Sequence, residues 1–106
     1  MARVYSTQFF NGENDTDGAV LYTVPSGFVA VVRSIDVHHV PSAAGQVCGC
    51  VLGSTQVQLG VSPGATSYNP PPWSGRQVLT AGQVIEGVFS GFYQQIAISG
   101  YLLSTP

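Results

Sequence analysis

The stretch Phe28-Val-Ala-Val-Val-Arg-Ser-Ile-Asp-Val-His-His-Val40 decides the fold class. It contains no Gly or Pro and is crowded with β-branched side chains. Such residues suit a pleated, half-buried surface better than a helix. Strict alternation puts Val29, Val31, Ile35 and Val37 on one face. Phe28, Ala30 and Val32 fall on the other, which turns polar at Ser34, Asp36 and His38. The spacing therefore predicts a long strand that begins buried on both faces and ends buried on one.

Outward from this strand, glycine (13) and proline (7) punctuate the chain every eight to twelve residues or so, the rhythm of many short strands. No window carries the i, i+3, i+4 apolar spacing of an amphipathic helix. The expected strands on the N-terminal side are Arg3–Phe10 and Ala19–Val24. The segment Asn11–Gly18 between them reads as a loop, with Asn-Gly and Asp-Gly turn signals at its ends. Pro25-Ser-Gly27 is a tight turn. On the C-terminal side the expected strands are Val47–Leu52, Val57–Val61, Gln77–Thr80, Gln83–Ser90 and Tyr93–Leu103. The span Ser62–Arg76 is the longest irregular stretch. No linker or repeat divides residues 1–106, so one all-β domain is expected. About eight short antiparallel strands make it a two-layer sandwich, jelly-roll-like, with a small β-barrel as the alternative. Both chain ends are expected to be packed or paired.

Charge bounds the function. Only 8% of the 106 residues are charged: three arginines, no lysine and five acids, net −2. Typical soluble domains carry roughly 25%. A surface so poor in charge favours an oligomer or a part of a larger assembly over an isolated monomer. Nucleic acid is disfavoured as a partner, because three scattered arginines form no cationic patch for phosphates. No segment approaches the ~20 apolar residues of a membrane span, and the first ten residues hold no secretory apolar run. The expectation is a chain made in the cytoplasm and not inserted in a membrane.

The candidate chemistry is thin. Glu13-x-Asp15-x-Asp17-Gly18 opens like a calcium loop, but the position of the closing bidentate glutamate holds Val24. If Val40 pairs with Val47, His39 lies opposite Cys48, and His39, Cys48 and Cys50 share a face. Three ligands on an apolar face fall short of tetrahedral zinc, so both cysteines read as core thiols rather than as a disulfide. Cys48 with His39 is the one formal nucleophile–base pair, without an oxyanion loop beside it. Asp36 and Glu86 are the one formal carboxylate pair for glycoside chemistry. No catalytic residue, cofactor or metal site is expected, and the chain does not read as an enzyme.

The most distinctive segment is Ser67-Tyr-Asn-Pro-Pro-Pro-Trp-Ser-Gly-Arg76. Pro70, Pro71 and Pro72 stiffen it toward polyproline II. Tyr68, Trp73 and Arg76 are residue types enriched at protein interfaces. These six residues are the expected interaction site. It serves either as an assembly contact or as a sugar platform, unless Trp73 folds back to plug one end of the sandwich.

The run Leu21-Tyr-Thr-Val-Pro-Ser-Gly-Phe-Val-Ala-Val-Val-Arg-Ser-Ile35 resembles the strand, Val-Pro-x-Gly turn and long apolar strand of small β-sandwich structural proteins of bacteriophage virions. Leu79-Thr-Ala-Gly-Gln-Val-Ile85 and Ile98-Ser-Gly-Tyr-Leu-Leu103 look like the closing strands of the same type of domain. The resemblance covers about a third of the chain. It implies a non-enzymatic virion protein, in first place a minor tail protein in an external or tip position. A head-decoration protein, binding the capsid as a symmetric oligomer, is second. Its partners would be copies of itself, other virion proteins and a host-surface glycan. The proline loop and the Cys-x-Cys pair stand outside the resemblance. A carbohydrate-binding sandwich is the reading from a different class.

Overall fold

A computed structural model describes residues 3–105. Met1, Ala2 and Pro106, the outermost residues of the expected 1–106 domain, lie outside the described residues. The long strand forms over its whole expected length, β3 (Phe28–Val40). Around it stand β1 (Val4–Asn14), β2 (Ala19–Thr23), β4 (Val47–Leu52), β5 (Thr55–Val61), β6 (Trp73–Leu79), β7 (Val84–Phe89) and β8 (Tyr93–Ser104). There are eight strands and no helix among the described residues, and so no helix long and apolar enough to cross a membrane.

The strands form two antiparallel four-stranded sheets, ordered β1-β8-β3-β6 and β2-β7-β4-β5. The chain changes sheet at every connection except the β4–β5 hairpin. This is the double-sheet jelly-roll arrangement, not the single closed sheet of a barrel. The pairing of Val40 with Val47, the condition for setting His39 opposite Cys48, does not form. Both edges of β3 are occupied, by β8 along its whole length and by β6 over its first half, so β4 has no edge to join. It pairs instead with β5 and β7, which sets Cys48 opposite Gly60 and Phe89. His39 pairs with Gln94 of β8.

A β-bulge resets the face of β3. Val32 pairs with Gly100 and Ser34 with Ser99, leaving Arg33 as an extra residue against β8. A bulge shifts the in–out alternation by one. Ala30 and Val32 therefore share the core face with Ile35 and Val37. Val29 and Val31, expected on that face, belong to the outer surface of the sheet. There the register aligns Val4, Leu103 and Val29, and beside them Tyr101, Val31 and Val78. The expectation that β3 is buried on both faces at its start holds: Val31 is 1% exposed although it points away from the main core.

Two boundaries differ from expectation. β1 continues through the Asn-Gly signal to Asn14, because Asn11, Gly12, Glu13 and Asn14 keep their partners on β8. A second bulge, between Gln8 and Phe10, brings both Phe9 and Phe10 against the core. β6 begins at Trp73, opposite Ile35, inside the stretch read as irregular. The described ends are tied down: Arg3 and Ser104 exchange backbone and hydroxyl hydrogen bonds at 2.7–2.9 Å, and the Thr105 amide donates to the Gly27 carbonyl.

Candidate binding groove

The proline segment is anchored to the second half of β3, just before β6 begins at Trp73 opposite Ile35. There the backbones of Tyr68 and His39 exchange both hydrogen bonds, at 3.0 and 3.1 Å. Side chains reinforce this bridge. The buried His39 ring donates from Nε2 to the Ser90 carbonyl at 2.8 Å, so its Nδ1 accepts the Tyr68 hydroxyl at 2.9 Å. The Cys48 thiol lies 3.7 Å from the same hydroxyl. One residue earlier, His38 Nδ1 donates to the Asn69 amide oxygen at 2.6 Å. Pro70 is buried against Gly60, where an added Cβ would meet the proline ring at 2.7 Å. Only a glycine lets the loop sit down at this place.

The six expected interaction residues thus separate. Tyr68 turns its hydroxyl inward and Pro70 is buried. Trp73 lies half-buried in β6, with its ring over Gly75 and against the core. Pro71, Pro72 and Arg76 are exposed. The loop works as a rigid wall whose outer prolines face solvent.

That wall borders an open groove of about 820 Å³ on the outer face of the β1-β8-β3-β6 sheet. Its floor is two cross-strand rows, Asn11–Ala97–Asp36 and Glu13–Gln95–His38, fixed by the ladder register. Neighbouring strands lie about 4.8 Å apart, so the outer members of each row stand roughly 10 Å from one another. Ala97 gives the trough its depth, and Asn69 to Pro72 close one side. Of the six expected interaction residues, Pro70, Pro71 and Pro72 line this groove, while its strand-borne floor is not singled out in the sequence as a binding surface. Nothing in the sequence sets Asn11, Glu13, Asp36 and Gln95 side by side until three strands align them. The available signals are the proline segment and the polar outer face at Asp36 and His38.

The other candidate constellations are not assembled. Asp36 and Glu86 stand on different sheets. In the acidic loop, Glu13 belongs to β1, Asn14 is buried, and Asp17 accepts a hydrogen bond from the Phe89 amide. No set of three potential metal ligands gathers among the described residues. His39 and Cys48 both reach the Tyr68 hydroxyl rather than each other. Both cysteines are free and buried. Desolvation raises the Cys48 thiol and the Tyr68 hydroxyl above their ordinary ranges and pushes Cys50 up to about 12.

Two expected results arise from this network. Tyr68→Phe keeps the ring but leaves the buried His39 Nδ1 without a donor, and should cost about 1–3 kcal/mol in urea unfolding. Hydrogen exchange at the His39 and Tyr68 amides should quicken with it as the wall loosens. The thiols give the second. Cys50 keeps its proton in the fold over a range where the unfolded chain has lost it. Its contribution is therefore complete below the unfolded value of about 9 and fades as pH rises toward 12. The urea midpoint should fall across that window, and Cys50→Ala should flatten the decline.

Comparison with protein-family models, with curated proteins and with solved structures finds no match to this chain.

Proposed function

We propose that the chain is a non-catalytic structural module of a bacteriophage virion, an external assembly or attachment piece, in first place a minor tail protein. The observation that carries this reading is the surface. Seven of the eight charged residues are exposed, with Glu86 half-buried, and they are spread over a whole domain. Large apolar side chains stand among them, with Val4 65%, Val20 57% and Phe92 66% exposed. On the outer face of one sheet Val4, Leu103 and Val29 stand in one row, and Tyr101 and Val78 flank the covered Val31 in the next. Contiguous apolar surface of this kind marks contact with other chains. The jelly roll is also an architecture of viral capsid and lectin domains, which supports the reading only by analogy of fold. The inward, hydrogen-bonded placing of His39, and a Cys48 thiol whose ionisation is opposed by burial, favour a structural over a nucleophilic role.

Partners on this reading are further copies of the chain and other virion proteins, with no cofactor. Sedimentation over a concentration series should show self-association, and labelled antibody should decorate particles at the tail. A chain that stays monomeric at high concentration would remove the self-assembling part. Hundreds of copies over the head would replace the tail position with the head-decoration alternative.

A further inference from the structure

We infer that the groove between β1, β8, β3 and the Asn69–Pro72 wall is a subsite for a short neutral or amino-sugar glycan. The inference deepens the attachment half of the proposed function and rests on it. Four features carry it. The first is preformation: the wall is held by the Tyr68–His39 backbone bridge, the His38–Asn69 hydrogen bond and the seating of Pro70 on Gly60. A ligand entering it has little chain to order, and that cost is a main debit against weak polar ligands. The second is size. About 820 Å³ falls within the roughly 300–1,000 Å³ of small-ligand sites.

The third feature is the pattern of hydrogen-bonding groups. Glu13 and Asp36 offer carboxylate oxygens that only accept. The His38 ring, whose Nδ1 donates to Asn69, presents Nε2 as a further acceptor. Asn11 and Gln95 offer amides that both donate and accept. A lining rich in acceptors, with mixed groups between them, matches a ligand of many hydroxyls, each able to donate and to accept. The last feature is charge. No arginine lines the groove while two carboxylates do, so sulfated and sialylated sugars are repelled and a protonated amino group is welcome. Pro71, Pro72 and the Ala97 methyl supply the apolar contact that a sugar ring's C–H face requires.

The test is titration of the full chain with N,N′-diacetylchitobiose, maltose and a glucosamine oligomer, and with sialyllactose as anionic comparator. NMR shifts and calorimetry provide the readout. The expected result is saturable shifts at Asn11, Gln95, Ala97 and Asn69 with at least one neutral or amino sugar, and none with sialyllactose. Ala97→Tyr fills the trough from a side chain that faces away from the core, and should abolish binding. Asp36→Asn, at an exposed position, removes an acceptor without adding bulk and should weaken binding about tenfold or more. It keeps the test open if the tyrosine variant fails to fold. No shift with any neutral or amino sugar overturns the inference. So does binding that survives both variants, or an oligo-lysine peptide that occupies the groove more tightly than every sugar. Sedimentation separates the two readings: assembly without sugar binding sinks the glycan subsite alone, and a sugar-binding monomer sinks the assembly reading alone.

Discussion

Gly49→Ala is expected to prevent the chain from folding. Gly49 of β4 pairs with Gln58, beside a bulge in β5 where Leu59 is the extra residue between Gln58 and Gly60. Its φ is +144°, a conformation L side chains rarely adopt. A Cβ there would run into the Val57 carbonyl oxygen and press on Gln58 Cα and the Leu59 amide, each at 3.2 Å. These are backbone atoms in the partner strand and cannot swing aside. The residue's own amide and carbonyl are also both hydrogen-bonded to the Gln94 side chain, so any backbone shift breaks those bonds as well. Strain, overlap and lost hydrogen bonds act together, and more than about 4 kcal/mol is expected. That takes away most of the stability of a domain at the lower end of the usual range of roughly 5–15 kcal/mol. The variant should be recovered insoluble, or without a cooperative urea transition. A soluble protein whose midpoint matches wild type would refute the account of the bulge.

Gln94→Leu is expected to cost about 3–5 kcal/mol while leaving a foldable chain. Gln94 is fully buried and belongs to β8, in the sheet opposite Gly49. Its amide oxygen accepts from the Gly49 N–H at 3.0 Å, and its nitrogen donates to the Gly49 carbonyl at 2.8 Å and to Asn14 Oδ1 at 2.9 Å. Asn14 in turn donates to the Thr16 carbonyl. One side chain thus ties the two sheets together and satisfies the Gly49 amide and carbonyl beside the β5 bulge. Leucine approximates its volume but strands all three partners in a dry interior, where an unpartnered group bears its whole desolvation cost. Gln95→Ala is the control. Its side chain points to the outer face, and its effect on stability should stay under about 0.5 kcal/mol. Equal losses for the two variants would show that Gln94 contributes no more than a surface residue.

Much of the architecture is legible in the sequence. The strand at Phe28–Val40 stands where a β-branched run is bounded by Gly27 and Pro41, and each of the eight strands overlaps a strand expected from the sequence. The Asn14 and Trp73 boundaries were not expected, because local turn signals at Asn11-Gly12 and Pro70–Pro72 are outweighed by pairing with β8 and β3. Tyr68 and Trp73 were recognised as unusual from type alone, but the direction each ring takes depends on what lies beneath it. Gln94 and Asn14 were invisible as buried residues, since nothing in a lone sequence distinguishes them from exposed Gln95 and Asn11.

By itself the sequence determined that this is an all-β fold of short strands, poor in charge. These properties follow from composition and from a two-residue period, which are local. Only the tertiary structure decided which faces are inside. The Arg33 bulge turns Val29 and Val31 outward, and it arises where β3 must fit β8 and β6 together. It also decided that β3 and β4 part into different sheets, and that Asn11, Ala97 and Asp36 line up beneath a proline wall. Each of these depends on pairing between segments far apart in the chain. The competition for strand edges that settles it exists only once all eight strands are present.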